Sequence, residues 1–168
     1  VTFNDTEFTF DSNEHIIEIA NLPAGASVVY STVPATGTTN GATNAGIYAV
    51  TAIVTPSAAT PNCSPVILTA NLTIKKAAQQ ITFGALVPRI LGGNNDFNLQ
   101  ALSNSGLPIR FSFTYTSALP PADVSPTGVV SMLRSGELLI TAHQDGNENY
   151  LAAASISQLL IIKNSNIT

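Results

Sequence analysis

The chain has 168 residues, a net charge of −4, and 10% charged against 45% hydrophobic residues, which is too much apolar material for a disordered chain. Its six basic residues, Lys75, Lys76, Arg89, Arg110, Arg134 and Lys163, are scattered, so the basic stripe that displaces phosphate counterions is missing and no nucleic-acid partner is expected. No apolar run approaches the 18 or so residues of a membrane helix, so no membrane insertion is expected, and a single cysteine, Cys63, excludes an internal disulfide and a multi-thiolate zinc site.

Strand signals run from the first residue. Val1 opens directly into one with no leader ahead of it, so the chain reads as an internal piece of any secreted parent. A turn cluster, Leu22-Pro23-Ala24-Gly25, and a longer one from Thr36 to Gly46 lead into the alternation of Tyr48, Val50, Ala52 and Val54 with Ala49, Thr51, Ile53 and Thr55. Gly46 is expected to supply a backbone shape other residues avoid, and Tyr48 to bury its ring and lend its hydroxyl to a nearby backbone group. Ala70, Leu72 and Ile74 repeat the period of two. Lys75 to Gln80 then reads as a junction. It holds no Gly or Pro, which predicts two domains, 1–76 and 77–168, that touch and flex little.

Beyond the junction, Ile81-Thr82-Phe83 opens the second half, followed by the turn residues Gly92 to Asp96. Ile109, Phe111 and Phe113 alternate with Arg110, Ser112 and Thr114, and Leu138, Ile140 and Ala142 with Glu137, Leu139 and Thr141. Asp145-Gly146-Asn147 is a turn, and the Gly146–Tyr150 stretch is expected to repeat the Gly46–Tyr48 arrangement. No segment holds a helical period over three turns. The fold class is all-β, with the strand rhythm of a sandwich or barrel.

The first half, from Phe8-Thr9-Phe10-Asp11 through Thr43-Asn44-Ala45-Gly46-Ile47-Tyr48 to Leu72-Thr73-Ile74-Lys75, resembles the MBG-type repeats of bacterial adhesin-like surface proteins. The second half, from Ile81-Thr82-Phe83 through Ser105-Gly106-Leu107-Pro108 to Ile140-Thr141-Ala142-His143-Gln144-Asp145-Gly146-Asn147, is similar to the bacterial Ig-like repeats that follow them. The resemblance implies two tandem Ig-like β-sandwich domains of a long surface protein of Bacteroidetes-type bacteria, extracellular or on the outer cell surface. Three departures stand out: Pro61-Asn62-Cys63 where an aromatic is usual, Leu91-Gly92-Gly93 where Tyr-Gly-Asp is usual, and a longer loop from Ser117 to Thr127.

Catalysis finds no support. His15 and His143 are far apart in sequence, and Cys63 has no nearby base to lower its pKa, so no catalytic residue is expected. Asp145, Asn147 and Glu148 form the oxygen-rich cluster that calcium favours, but the segment is too short for an EF-hand loop and reads first as a tight turn. A sugar platform needs an exposed aromatic. There is no Trp, and Tyr115, beside the Ser117–Thr127 loop with Leu119 and Asp123, is the candidate ligand contact. The leading expectation is therefore a non-enzymatic stalk or adhesion repeat, whose partners are neighbouring repeats of the parent chain. The alternatives are a module binding host or environmental glycan or protein, and an accessory domain of a large secreted hydrolase.

Overall fold

The computed structural model describes residues 1–59, 63–92 and 94–165, so the Pro61-Asn62 pair and Gly93 lie outside the described residues. Among those described, every regular element is a strand. The chain divides into two compact units, Val1–Ala77 and Ala78–Thr168, each with its own hydrophobic core.

The first unit holds β1 (Thr6–Thr9), β2 (His15–Ile16), β3 (Ser27–Val33), β4 (Gly41–Ala42), β5 (Gly46–Thr55) and β6 (Val66–Lys75). Its main sheet runs β1-β6-β5-β3, with β1 parallel to β6 and the other pairs antiparallel. β4, inside the Thr36–Gly46 segment read as one long turn, pairs with β2, so that segment carries a strand. Burial follows the period of two: Tyr48, Val50, Ala52 and Val54 are buried, while Ile47 and Ile53 face solvent. The Tyr48 hydroxyl donates to the Asn44 carbonyl at 2.9 Å, closing the turn that feeds its own strand.

Gly46 corrects the expectation placed on it. Its φ is not positive, and the constraint is space: a Cβ there would stand 3.0 Å from the Tyr48 hydroxyl oxygen and 3.1 Å from Cζ. The Tyr48 ring folds back along its own strand and occupies the volume a side chain would need.

The second unit holds β7 (Ile81–Phe83), β8 (Arg89–Ile90), β9 (Asp96–Asn98), β10 (Ala101–Ser103), β11 (Arg110–Thr114), β12 (Ala122–Val124), β13 (Val129–Met132), β14 (Gly136–His143) and β15 (Ile156–Lys163). Its four-stranded sheet runs β8-β15-β14-β11, and the smaller β7–β10 and β9-β13-β12 sheets complete the strand set. Phe83, Phe111, Val130, Leu138, Ile140 and Leu160 belong to its core.

The Ser117–Thr127 segment is not the long loop expected. Ala122-Asp123-Val124 alternates buried, exposed, buried and pairs with β13, and Pro121 is fully buried. Pro120 and Pro121 precede the strand and Pro126 follows it, where no ladder N–H is required of them. Gly146 does adopt the left-handed backbone its turn needs, with φ of 76°.

The two four-stranded sheets are the same sheet built twice. Each places its first strand parallel to its last, with the two antiparallel partners beyond. Gly46 lies opposite Ile74 as Gly136 lies opposite Ile162, so the two can be read in register position by position.

Gln79, read as a junction residue, is 5% exposed and packs inside the second unit. Its amide donates to Gln144 Oε1 at 3.2 Å and to the Leu151 carbonyl at 2.7 Å. Its oxygen accepts from Ser103 Oγ at 2.7 Å and Ser105 Oγ at 2.5 Å. All four capacities of the amide are used, so this polar side chain is fully satisfied where it is buried.

Candidate functional site

Tyr115 follows β11 and is 42% exposed, its ring stacked against Phe113 with centroids 6.2 Å apart. Beside it lies a cleft of about 300 Å³ lined by Thr114, Tyr115, Thr116, Glu137, Leu139 and Leu159. Leu119 and Asp123 are exposed but do not line this cleft. Asp123 points outward from β12, and the Leu119 carbonyl accepts from Ser117 Oγ at 2.7 Å. The three candidates therefore do not form one continuous lining.

In the candidate calcium turn, the Asn147 oxygen accepts the backbone N–H of Asn149 at 2.8 Å and of Tyr150 at 2.9 Å. That oxygen closes the turn. Asp145 faces Arg110, 3.4 Å from its guanidinium, and Glu148 is exposed. Among the described residues no three acidic, His or Cys side chains gather as a metal-ligand set. Tyr150 is half-buried beside this turn.

His15 begins β2 and lies between two partners. Its ring stacks on Phe8 at 4.1 Å, and Nε2 is 3.0 Å from Asp11 Oδ1. Hydrogen bonds from the Asn13 side chain and backbone, then from His15, hold the Asp11 carboxyl below its ordinary range. Cys63 is an exposed free thiol at the rim of an apolar cleft that includes Pro23, Ala24, Val54 and Pro56.

One arrangement was not visible in sequence order. On the outward face of the second unit's sheet, Ser112 Oγ is 2.7 Å from His143 Nε2, and His143 Nδ1 is 2.9 Å from Ser155 Oγ. Thr141 Oγ1 and Ser157 Oγ stand 2.8 Å apart in the adjacent row, and Arg110 lies directly across from His143. A nucleophile and base are thus in contact, but the orienting group is a hydroxyl where a triad needs a carboxylate. The ladder N–H groups lie in the plane of the sheet, away from an outward Ser112 side chain, so the backbone builds no oxyanion hole there, and Arg110 is the charged donor on that face. The geometry makes a hydrogen-bonding surface. The signal that could have found it is a period-two offset: Ser112 and His143 share a face once Arg110 is set opposite His143.

No known protein-family description matches the chain, and no curated protein matches it. Among solved structures, the fibronectin(III)-like modules of Clostridium thermocellum CbhA are similar at 13% identity and TM-score 0.39, covering 99% of this chain and 96% of that one. Human mucin-like protocadherin EC1-2 is similar at 11% identity and TM-score 0.41, covering 98% of each chain. The Sidekick-1 immunoglobulin domains 1-5 match at 11% and 0.35, where this chain spans 38% of their length. Likeness at this distance carries no argument about function.

Proposed function

We propose that the chain is a non-enzymatic repeat module of a bacterial extracellular or surface protein, a pair of Ig-like units that extends or presents adhesive parts of its parent. The observation that carries this reading is the sheet built twice in matching register, each copy closing its own core. A unit that closes its own core can be added in series without redesigning its neighbour. The MBG-type and bacterial Ig-like resemblance of the two halves supports the same reading.

Calorimetry on the full chain tests it. Leu72 and Leu160 are each 0% exposed, one in each core. Leu72→Ala and Leu160→Ala should each cost about 2–5 kcal/mol, and each should lower a different thermal transition. A single transition lowered equally by both would overturn the modular reading, and labelling of Ser112 by a fluorophosphonate would overturn the non-enzymatic part.

The exposed Tyr115 ring over its cleft favours a second reading, a recognition module in which that ring meets a glycan or protein partner. Binding to a glycan or matrix-protein array that is lost in Tyr115→Ala would establish it; binding unchanged by that substitution would remove it.

A further inference from the structure

The internal repeat supplies a control that a single domain lacks. In the first unit Ser31 lies opposite Thr51, and Thr51 opposite Thr69; in the second Ser112 lies opposite Thr141, and Thr141 opposite Ser157. Both sheets thus carry the same outward hydroxyl row. One step along the strands the copies part. The first unit has Val29, Ile53 and Ile67 in line, exposed by 65%, 41% and 67%. The second has Arg110 opposite His143, with Ser155 bonded to the His143 ring. The ladder accepts aliphatic residues at these positions in one copy, so folding does not demand the polar set found in the other.

That polar set borders a cleft of about 390 Å³ whose lining includes Pro108, Ile109 and Pro126 as well as Arg110, His143 and Asp145. Arg110 meets both Asp145 oxygens only at 3.4 Å, and the two side chains are 53% and 77% exposed. Charge-assisted bonds run about 2.7–2.9 Å, so this pair is loose and leaves donors and acceptors open to a third party. Exposed pairs of this kind contribute little to stability.

From these features we infer that the Arg110–Ser112–His143 face of the second unit binds a neutral, hydroxyl-rich glycan. Sugar hydroxyls both donate and accept. The face presents a fork of N–H donors at Arg110, a carboxylate acceptor at Asp145, and the Ser112 and Ser155 hydroxyls held against the two His143 ring nitrogens, with Pro108, Ile109 and Pro126 in the cleft for the C–H side of a ring. The Arg110 and Asp145 charges cancel, and the chain carries −4 overall. This balance disfavours an acidic polysaccharide. The inference rests on the repeat-module reading, but its failure would leave the two calorimetric transitions untouched.

The test is a printed array of neutral gluco-, manno- and galacto-configured oligosaccharides, with heparin and polygalacturonate as acidic counterparts, probed with the labelled full chain. The double substitution Arg110→Val with His143→Ile gives the second unit an aliphatic row like that of the first. Its thermal transitions report whether it folds, and Ser112→Val provides an independent, smaller change. The expected result is binding to at least one neutral oligosaccharide, weakened at least tenfold in the double variant and in Ser112→Val, and unchanged in Tyr115→Ala and Ser31→Val. No neutral binding, signal confined to the acidic spots, or neutral binding indifferent to the double substitution would each overturn the inference.

Discussion

Truncating Gln79 to Ala removes the four hydrogen bonds that tie the start of the second unit to Ser103, Ser105, Gln144 and Leu151. Not all four partners are stranded. The Ser103 and Ser105 hydroxyls already lie 2.8 Å apart and can satisfy each other, and Gln144 Oε1 keeps the Gly146 N–H. The Leu151 carbonyl loses its side-chain partner. An orphaned group of this kind costs about 1–3 kcal/mol, and each lost bond with a fallback about 0.5–1 kcal/mol. Together the loss is about 2.5–6 kcal/mol, and even the lower end lowers the thermal midpoint of a domain of this size by about 10 °C or more.

Gln79→Glu sharpens the reasoning. Its oxygens still accept from the two serines, but they meet Gln144 Oε1 and the Leu151 carbonyl with no proton to offer. The variant should therefore be destabilised at neutral pH and recover in part in acid, where the carboxyl gains one donor. Calorimetry on the full chain, with the first unit's transition as internal reference, reads both effects. A midpoint within about 3 °C of the parent for Gln79→Ala, below 1 kcal/mol, would refute the role assigned to this amide.

Gly46→Ala should destabilise the first unit by about 1–3 kcal/mol, because the new Cβ meets the Tyr48 ring at 3.0–3.2 Å. Tyr48→Phe should cost about 1 kcal/mol through loss of the bond to Asn44; pairing it with Gly46→Ala in a double-mutant cycle should show non-additive coupling. Asp11 titrates below its ordinary range in the folded chain, so its contribution is present above the unfolded-state pKa and is lost as pH falls through the lowered folded value. Urea midpoints followed from neutral pH into acid should decline over that window in the parent and decline less in Asp11→Asn; identical acid limbs would sink the assignment.

The strands that define the main sheets were legible because they obey one rule. A period of two marks β5, β6, β11 and β14, and Leu72, Val50, Leu138 and Ile140 are buried where the alternation places them. Short strands escaped, since β4 and β12 have too few residues to show a period and sit among Gly and Pro that signal turns. Gln79 escaped for a different reason. Whether an amide is buried depends on partners 24 to 72 residues away, which no local pattern encodes. The internal repeat was present in plain view: Gly46-Ile47-Tyr48-Ala49-Val50-Thr51-Ala52 and Gly136-Glu137-Leu138-Leu139-Ile140-Thr141-Ala142 share Gly, an aliphatic and Thr-Ala at matching places. Shared positions of this kind are few, so only the ladder register makes the correspondence unambiguous.

The parallel pairing of the first and last strands of each main sheet decides how a unit meets tension. Force applied at the two ends of a unit pulls parallel strands along their length in opposite directions, so the bonds between them bear load together and do not peel one at a time. In the first unit this grip joins Thr6 through Thr9 to Leu72 through Lys75 and is extended by the Phe10 N–H to the Lys75 carbonyl. In the second, among the described residues, it joins Arg89 and Ile90 to Ile162 and Lys163, plus the Leu91 N–H to the Lys163 carbonyl. On the proposed stalk reading, the β8–β15 clamp, where fewer bonds share the shear, is expected to yield at lower force than β1–β6 once the Gln79 bonds and β7 ahead of it have let go.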